Sequence, residues 1–589
     1  MRPFLLWAGG PLPFSESAPV PLDKIHNAQL DRTGRFFAAL AAVTAVGWLL
    51  PNHYPPWNTF HTNAWVGICL LIAAAGFLRT SPLTPQVSRP GLVLSGLAAI
   101  PWIQYGLGML PLFSAALLAS LYLAALAIAF IFGENWSRSG LVRPLAFVLL
   151  AACVAAVGSV GLQLYQWLGL TVDFGLMDIW VMQIGEEHRP FANLGQPNQL
   201  ASLLLWGLLG CLLAWHRRWI GAAVAMVLAA FLLWGVALTE SRTALLTLTL
   251  CVAALSIWRP PFLERRALRT LQALYLLYLT SLFAQEPLAR MLGMEEPLTL
   301  LVRSQGELRL KLWAMALDAS TVSPWLGMGW GRSNAALFEV FQNHTHLKAA
   351  YFEQSHSLPL DIILWVGWPT GLAIIAMVAY WLLRVALSID SMERLIAAAA
   401  IGVMTVHALL ELPLHHGYFL WPLGLIAGAV NPVEFRANQW VTRRTVATFS
   451  LATLGILGTL ITVDYFKVEA AFTDLRFQLA KVGRDHDNSP PKTLLLTDWP
   501  RAIALNRSTP HAGMTEAEID DWKALMLYNT APLPMRKYVG ALALNGRDDE
   551  AQRWAQRICW LLQDKLCRPL ADEWSEPAKS SPANSSTHP

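Results

Sequence analysis

The sequence predicts an all-α, polytopic membrane protein of about thirteen transmembrane helices, and three observations predict it. Of its 589 residues 55% are hydrophobic and only 14% charged, whereas soluble domains carry about a quarter charged residues. Apolar runs long enough to enter a bilayer recur along most of the chain without the alternation of a barrel strand, so helices are what can satisfy their backbone in lipid. Finally, Lys and Arg collect in every second loop, the pattern that sets orientation in a membrane.

The runs fall at 36–51, 63–79, 90–107, 112–133, 144–168, 197–215, 219–238, 243–258, 270–285, 357–384, 395–412, 417–431 and 445–463. One set of connections carries Arg32 and Arg35, Arg79 and Arg89, Arg138 and Arg143, Arg217 and Arg218, Arg265 and Arg266, Arg384 and Arg394, and Arg443 and Arg444. The alternate connections are nearly bare, with Arg189 alone in 169–196. The basic set is expected to be cytoplasmic, which puts loop 286–356 and the tail from Asp464 outside. No cleavable signal is evident, so the first apolar helix is expected to serve as the targeting signal.

The division this implies is a cytoplasmic segment 1–35, a membrane domain 36–463 that includes the outer loop 286–356, a helical outer domain 464–575 and a disordered end 576–589. In the tail, apolar residues recur at helical spacing over Thr515–Tyr528, Met535–Asn545 and Asp548–Gln563. The net charge of +4 and the lack of a basic block exclude a nucleic-acid partner. Of six cysteines, Cys69, Cys153, Cys211 and Cys251 lie in apolar runs, while Cys559 and Cys567 would pair if the tail meets an oxidising compartment.

Candidate chemistry gathers on the outer side. Arg242, in ALTESRTALL, stands at a span boundary, where an arginine is costly unless paired; it is either a phosphate ligand or a partner of Glu240 or a lipid headgroup. Arg303, Arg309 and Lys311 lie on an amphipathic stretch ahead of the glycines at 327, 329 and 331; they either hold a diphosphate or form a solvated face. The glycines suit a tight turn rather than a nucleotide fingerprint, since no βαβ unit surrounds them. His356, in SHSLPLDIILWVGW, sits where a polar loop runs into an apolar span and is either a general base or polar surface. His344 with His346, and His415 with His416, lack a third ligand at a fixed spacing, so no metal is expected. GQPNQ, Gly195 to Gln199, opens a helix, where an amide can simply cap.

Taken in order, NHYPPW, RPFANLGQPNQLAS, TESRTALL, LRLKLW with PWLGMGWG, SHSLPLDIILWVGWPTG and ELPLHHGYFLWPLG resemble the PglL-type protein O-oligosaccharyltransferases, relatives of the O-antigen ligases (WaaL-like) and Wzy-type polymerases. The resemblance covers roughly residues 25–435. It implies transfer of a glycan from undecaprenyl pyrophosphate to a Ser or Thr hydroxyl of pilin or another exported protein, at the outer face of the inner membrane and without a cofactor. The essential loop histidine of that family matches His356, with Ser357 in place of the usual asparagine. Its arginines match Arg242 and Arg309, its glutamine Gln196 and its tyrosine Tyr418; Arg303 is a further substrate-binding candidate. The rival readings are an O-antigen ligase or polymerase with a glycan or lipid A-core acceptor, and a polytopic transporter or flippase. The latter would show paired repeats and midplane charges that this sequence lacks.

Overall fold

The computed structural model describes residues 22–170, 179–184, 189–293, 305–344, 347, 352–437, 439–483, 488–528 and 532–561. Its elements are almost wholly helical. In chain order come α1 (Leu22–Gly47), α2 (Phe60–Thr80), α3 (Arg89–Leu97), α4 (Ile100–Gly106), α5 (Phe113–Ser137), α6 (Val142–Trp167), α7 (Pro197–His216), α8 (Ala222–Leu238), α9 (Arg242–Ile257) and α10 (Arg265–Met291). The segment between α10 and the next long helix contributes α11 (Gln305–Ala319) and α12 (Ser333–Val340). Then follow α13 (Leu358–Leu387), α14 (Met392–Leu410), α15 (Gly417–Ala429), α16 (Val433–Arg436) and α17 (Arg444–Leu479). The tail forms α18 (Asp498–Arg507), α19 (Glu516–Tyr528), α20 (Pro532–Leu544) and α21 (Asp548–Leu561). The strands among the described residues, Gln86–Val87 and Trp440–Val441, pair antiparallel.

Among the described residues eight helices are long and apolar enough to cross a membrane: α2, α5, α6, α7, α10, α13, α14 and α17. Helices α8, α9 and α15 are apolar but shorter. The protein is therefore an all-α, multi-pass membrane protein. The third apolar run is not one helix but two, α3 and α4. Pro101 lies in the first turn of α4, and its ring nitrogen has no hydrogen to give the carbonyl of Leu97, so the helix breaks just before it.

Small residues let the central helices meet closely, as they do where lipid gives no hydrophobic drive to association. A Cβ on Gly210 of α7 would lie 2.1 Å from the Leu149 carbonyl oxygen of α6, and one on Gly428 of α15 would lie 1.9 Å from that of Phe130 of α5. These contacts seat α7 and α15, whose N-terminal ends supply much of the site.

The run 357–384 is a broken helix. Gly367 has φ 77° and ψ 170° inside α13, one residue ahead of Trp368 and two ahead of Pro369. The turn 323–331 lies in this break: Met328 N donates to Leu364 O at 2.7 Å, Gly329 N to Trp365 O at 3.1 Å, and Trp368 N to Pro324 O at 2.8 Å. Glycine is required on both strands of the crossing. A Cβ at Gly327, φ 73°, would come 2.4 Å from Trp365 C, and one at Gly367 would come 2.5 Å from Trp325 C.

Helix α17 has 36 residues, about 54 Å, well beyond a bilayer's hydrocarbon thickness. Its buried Asp464 marks where the returning chain docks: Oδ2 accepts from the backbone N–H groups of Leu494, Leu495 and Leu496 at 2.8, 2.6 and 3.1 Å. Asp498 then accepts from Ser114 N at the start of α5, at 2.6 Å. Helices α19 to α21 close a separate core around Ile519, Met526, Tyr538, Trp554 and Ile558, joined by Phe338 of α12. The expected tail helices are present, with α18 added ahead of them. Cys559 is disulfide-bonded, while Cys567 lies outside the described residues, as does 576–589.

Candidate active site

Three of the residues singled out by their sequence motifs, Gln196, Arg309 and His356, converge on one the sequence reading passed over, Glu411. It directly follows α14, which ends at Leu410 rather than 412, and its backbone N–H still bonds to His407 O at 2.8 Å. Among the described residues, four side chains meet its carboxylate. Arg309 of α11 forms an ion pair with Oε1. Gln196 Nε2 donates to Oε2 at 3.0 Å, and Asn198 Nδ2 to Oε1 at 3.1 Å. His356 Nδ1 lies 3.6 Å from Oε2, within ion-pair reach but too long for a hydrogen bond. Burial by itself would raise the Glu411 carboxyl, but the adjacent His356 and the Arg309 guanidinium outweigh it and hold it down at about 2, against an ordinary 4.5.

Each neighbour is placed by its own local structure. Gln196 is the N-cap of α7, its Oε1 accepting from Gln199 N at 3.0 Å, so one amide both starts the helix and reaches the carboxylate. Gly195 before it takes φ 74°. The loop 189–195 is tied from several sides. Arg189 donates to the carbonyls of Thr239 and Glu240, Gln166 Oε1 accepts from Phe191 N and Ala192 N, and Asn193 O meets His53 Nε2 at 2.7 Å. NHYPPW thus packs behind GQPN and props it.

His356 stands in the turn before α13 with φ 55°, a left-handed conformation a non-glycine residue adopts only when its surroundings dictate it. Its side chain is 35% exposed against 8% for Glu411, so the imidazole stands at the open side of the cluster.

Tyr418 is fully buried and its hydroxyl donates to Gln199 Oε1, so it supports GQPNQ from behind. Gln199 Nε2 reaches His416 Nε2 at 2.7 Å, and the His416 ring stacks on Tyr418 at 5.2 Å and 8°. Burial holds the His416 ring far below the usual imidazole range, at about 3; as a neutral ring it accepts from the amide.

Arg242 opens α9, half-buried, behind the N-cap Ser241, whose Oγ accepts from Ala244 N at 3.1 Å. It follows the Thr239–Glu240 turn that Arg189 grips, and α9 packs on α7 and α14. It is not among the groups touching Glu411. Arg303 lies outside the described residues, as does His346. Among the described residues no three His, Cys, Asp or Glu side chains are grouped as a metal site.

Glu411 was legible in principle. An acid at the mouth of an apolar span is as costly as the arginine at 242, and the same reasoning applied to ELPLHH would have singled it out.

The chain is similar to known proteins along most of its length. A family model described as O-Antigen ligase matches residues 225–375, the stretch holding Arg242, Arg309 and His356. Protein glycosylation ligase matches 190–215, around Gln196, and Virulence factor membrane-bound polymerase, C-terminal, matches 395–568, from α14 through the tail helices. The chain is 28% identical over 538 residues to a general O-oligosaccharyltransferase of Acinetobacter baylyi, covering 88% of this chain and 91% of the relative. It is 25% identical over 337 residues to a ComP-specific O-oligosaccharyltransferase of the same organism, covering 56% and 59%. The likeness first read from the motifs holds along most of the chain, and the protein is a membrane-embedded glycosyltransferase similar to the PglL-type O-oligosaccharyltransferases and the O-antigen ligases.

Proposed function

We propose that this protein moves an oligosaccharide from undecaprenyl pyrophosphate to a Ser or Thr hydroxyl of an exported protein such as pilin, on the periplasmic face of the inner membrane. The observation that carries this reading is the gathering of Gln196, Arg309 and His356 around the buried Glu411 carboxylate. The basic loops support a cytoplasmic N-terminus and a periplasmic tail, and the disulfide at Cys559 suits an oxidising compartment.

In this mechanism Glu411 faces Nδ1 of His356, leaving Nε2 to take the proton of the acceptor hydroxyl, and stabilises the imidazolium that forms. The acceptor oxygen bonds to the anomeric carbon while the bond from that carbon to the diphosphate oxygen breaks, inverting the centre. The electron pair leaves with the undecaprenyl diphosphate. Arg309, with Arg242 and Arg303 as further cations, meets that charge, so positioning and fixed positive charge do the work without a metal. Gln196 orients the donor, and Tyr418 acts on it through Gln199.

The test is transfer in proteoliposomes from a lipid-linked oligosaccharide to a serine-bearing pilin, read as a mass shift, with anomeric analysis and added chelator. Retention of configuration, or loss of activity to chelator, contradicts the mechanism. The O-Antigen ligase match favours a second acceptor class, lipid A-core. Transfer to that acceptor with none to protein would establish it instead.

A further inference from the structure

The turn that carries His356 is held by a residue the mechanism does not use. Asp361, in the first turns of α13, is fully buried. Its Oδ1 accepts from Ser355 N at 3.0 Å and from Ser333 Oγ at 2.7 Å. Ser355 Oγ in turn donates to Ser357 O at 2.9 Å and accepts from Ser357 N at 3.2 Å, so both neighbours of His356 are pinned. Ser333 is the first residue of α12, and its Oγ also accepts from Trp365 Nε1 at 2.7 Å. A left-handed histidine persists only where such bonds outweigh its local preference.

Helix α12 joins this turn to the outer domain. On the face of Ser333, Ala336, Leu337 and Val340 pack with Leu364 and Trp365 of α13. On an adjoining face, Asn334 Nδ2 donates to Leu527 O at 2.8 Å, and the Phe338 ring stacks on Trp554 at 5.4 Å and 18°. Glu339 pairs with Arg557 at 3.2 Å. A helix gripped by α19 and α21 therefore ends in the serine that grips Asp361.

We infer that Asp361 and Ser333 are positioning residues that set His356 for proton transfer, and that the outer domain acts on the reaction through α12 as a strut. The inference rests on His356 being the base. The carboxylate serves here as an acceptor of two hydrogen bonds, a role an amide oxygen can also fill. It touches neither Arg309 nor Gln196, so donor binding lies outside its reach.

The experiment is steady-state transfer by the full-length protein in proteoliposomes, with kcat and donor KM measured for His356→Ala, Asp361→Ala, Asp361→Asn, Ser333→Ala, Trp554→Ala and Asn334→Ala. Asp361→Ala is expected to lower kcat about a hundredfold with donor KM unchanged, as a base displaced by about 1 Å would. Asp361→Asn should recover most of that loss. Trp554→Ala should also lower kcat alone, and combined with Asp361→Ala it should add nothing, because both act along one path. If a core variant fails to fold, Ser333→Ala and Asn334→Ala, which only remove hydrogen bonds, carry the same expectation in smaller degree. Wild-type kcat in these variants, a change confined to donor KM, or additive losses would overturn the strut. His356→Ala with full activity would instead overturn the base, and the two failures are distinct.

Discussion

Nδ1 of His356 lies 3.6 Å from Oε2 of Glu411, although 55 residues separate them in sequence and they flank two different helices. This pair divides the site into a half-buried imidazole and a buried anion that Arg309, Gln196 and Asn198 also hold. The predictions below follow from that division.

Replacing Glu411 by Gln keeps the volume and removes the charge. Arg309 then loses its ion pair and His356 the anion that supports its protonated form. We expect transfer to fall about a hundredfold, roughly 2.7 kcal/mol of transition-state stabilisation. Glu411→Ala should in addition lower the melting temperature in detergent, because Gln196 and Asn198 lose their acceptor in a buried place. Wild-type transfer by Glu411→Gln would remove this carboxylate from the mechanism.

The pH dependence has a definite sign. The Glu411 carboxyl is held at about 2 against 4.5 in an unfolded chain, so its contribution to stability is complete above 4.5 and fades as pH falls towards 2. Between about pH 5 and pH 8 no stability loss should arise from it. The melting-temperature difference between wild type and Glu411→Gln should therefore not shrink on acidification across that range. A difference that shrinks on acidification within it would mean that the carboxyl protonates far higher.

Arg309 meets one carboxylate in the resting protein and, in the proposed reaction, a diphosphate. A lysine supplies the charge without the planar fork. Arg309→Lys is thus expected to leave folding intact and still raise donor KM or lower kcat by about tenfold, on the order of 1.4 kcal/mol. Full activity in that variant would show that a point charge suffices.

Tyr418→Phe removes one hydroxyl from a fully buried ring and leaves Gln199 Oε1 without that donor. The cost to stability should be about 1 kcal/mol, with a partial fall in transfer. Complete inactivation with unchanged stability would put the hydroxyl on substrate instead.

At the crossing of the 323–331 turn with α13, Gly327→Ala or Gly367→Ala should destabilise by at least about 2 kcal/mol, since each adds a strained φ and a clash with backbone. Gly331→Ala, at φ 77° with open space around its Cβ, should cost only about 1 kcal/mol. Thermal unfolding in detergent separates the cases, and equal losses would contradict the backbone contact.

The helical, multi-pass character of this protein could be read from the sequence because bilayer hydrocarbon imposes one local rule: a run of apolar residues must satisfy its own backbone, and helix does so. The stretches around α5, α6, α7 and α14 follow that rule residue by residue. The break in α13 was hidden because Gly367 looks like any glycine in an apolar run until the Pro324–Gly329 turn is laid against it. Likewise Gln196, Arg309 and His356 were found by their motifs. That Glu411 draws them together and that Asp361 holds the turn before α13 depended on helices packing at one end of the bundle. A hydrogen bond needs its partner within about 3 Å, and a one-dimensional pattern does not record which distant side chain the folded chain brings that near.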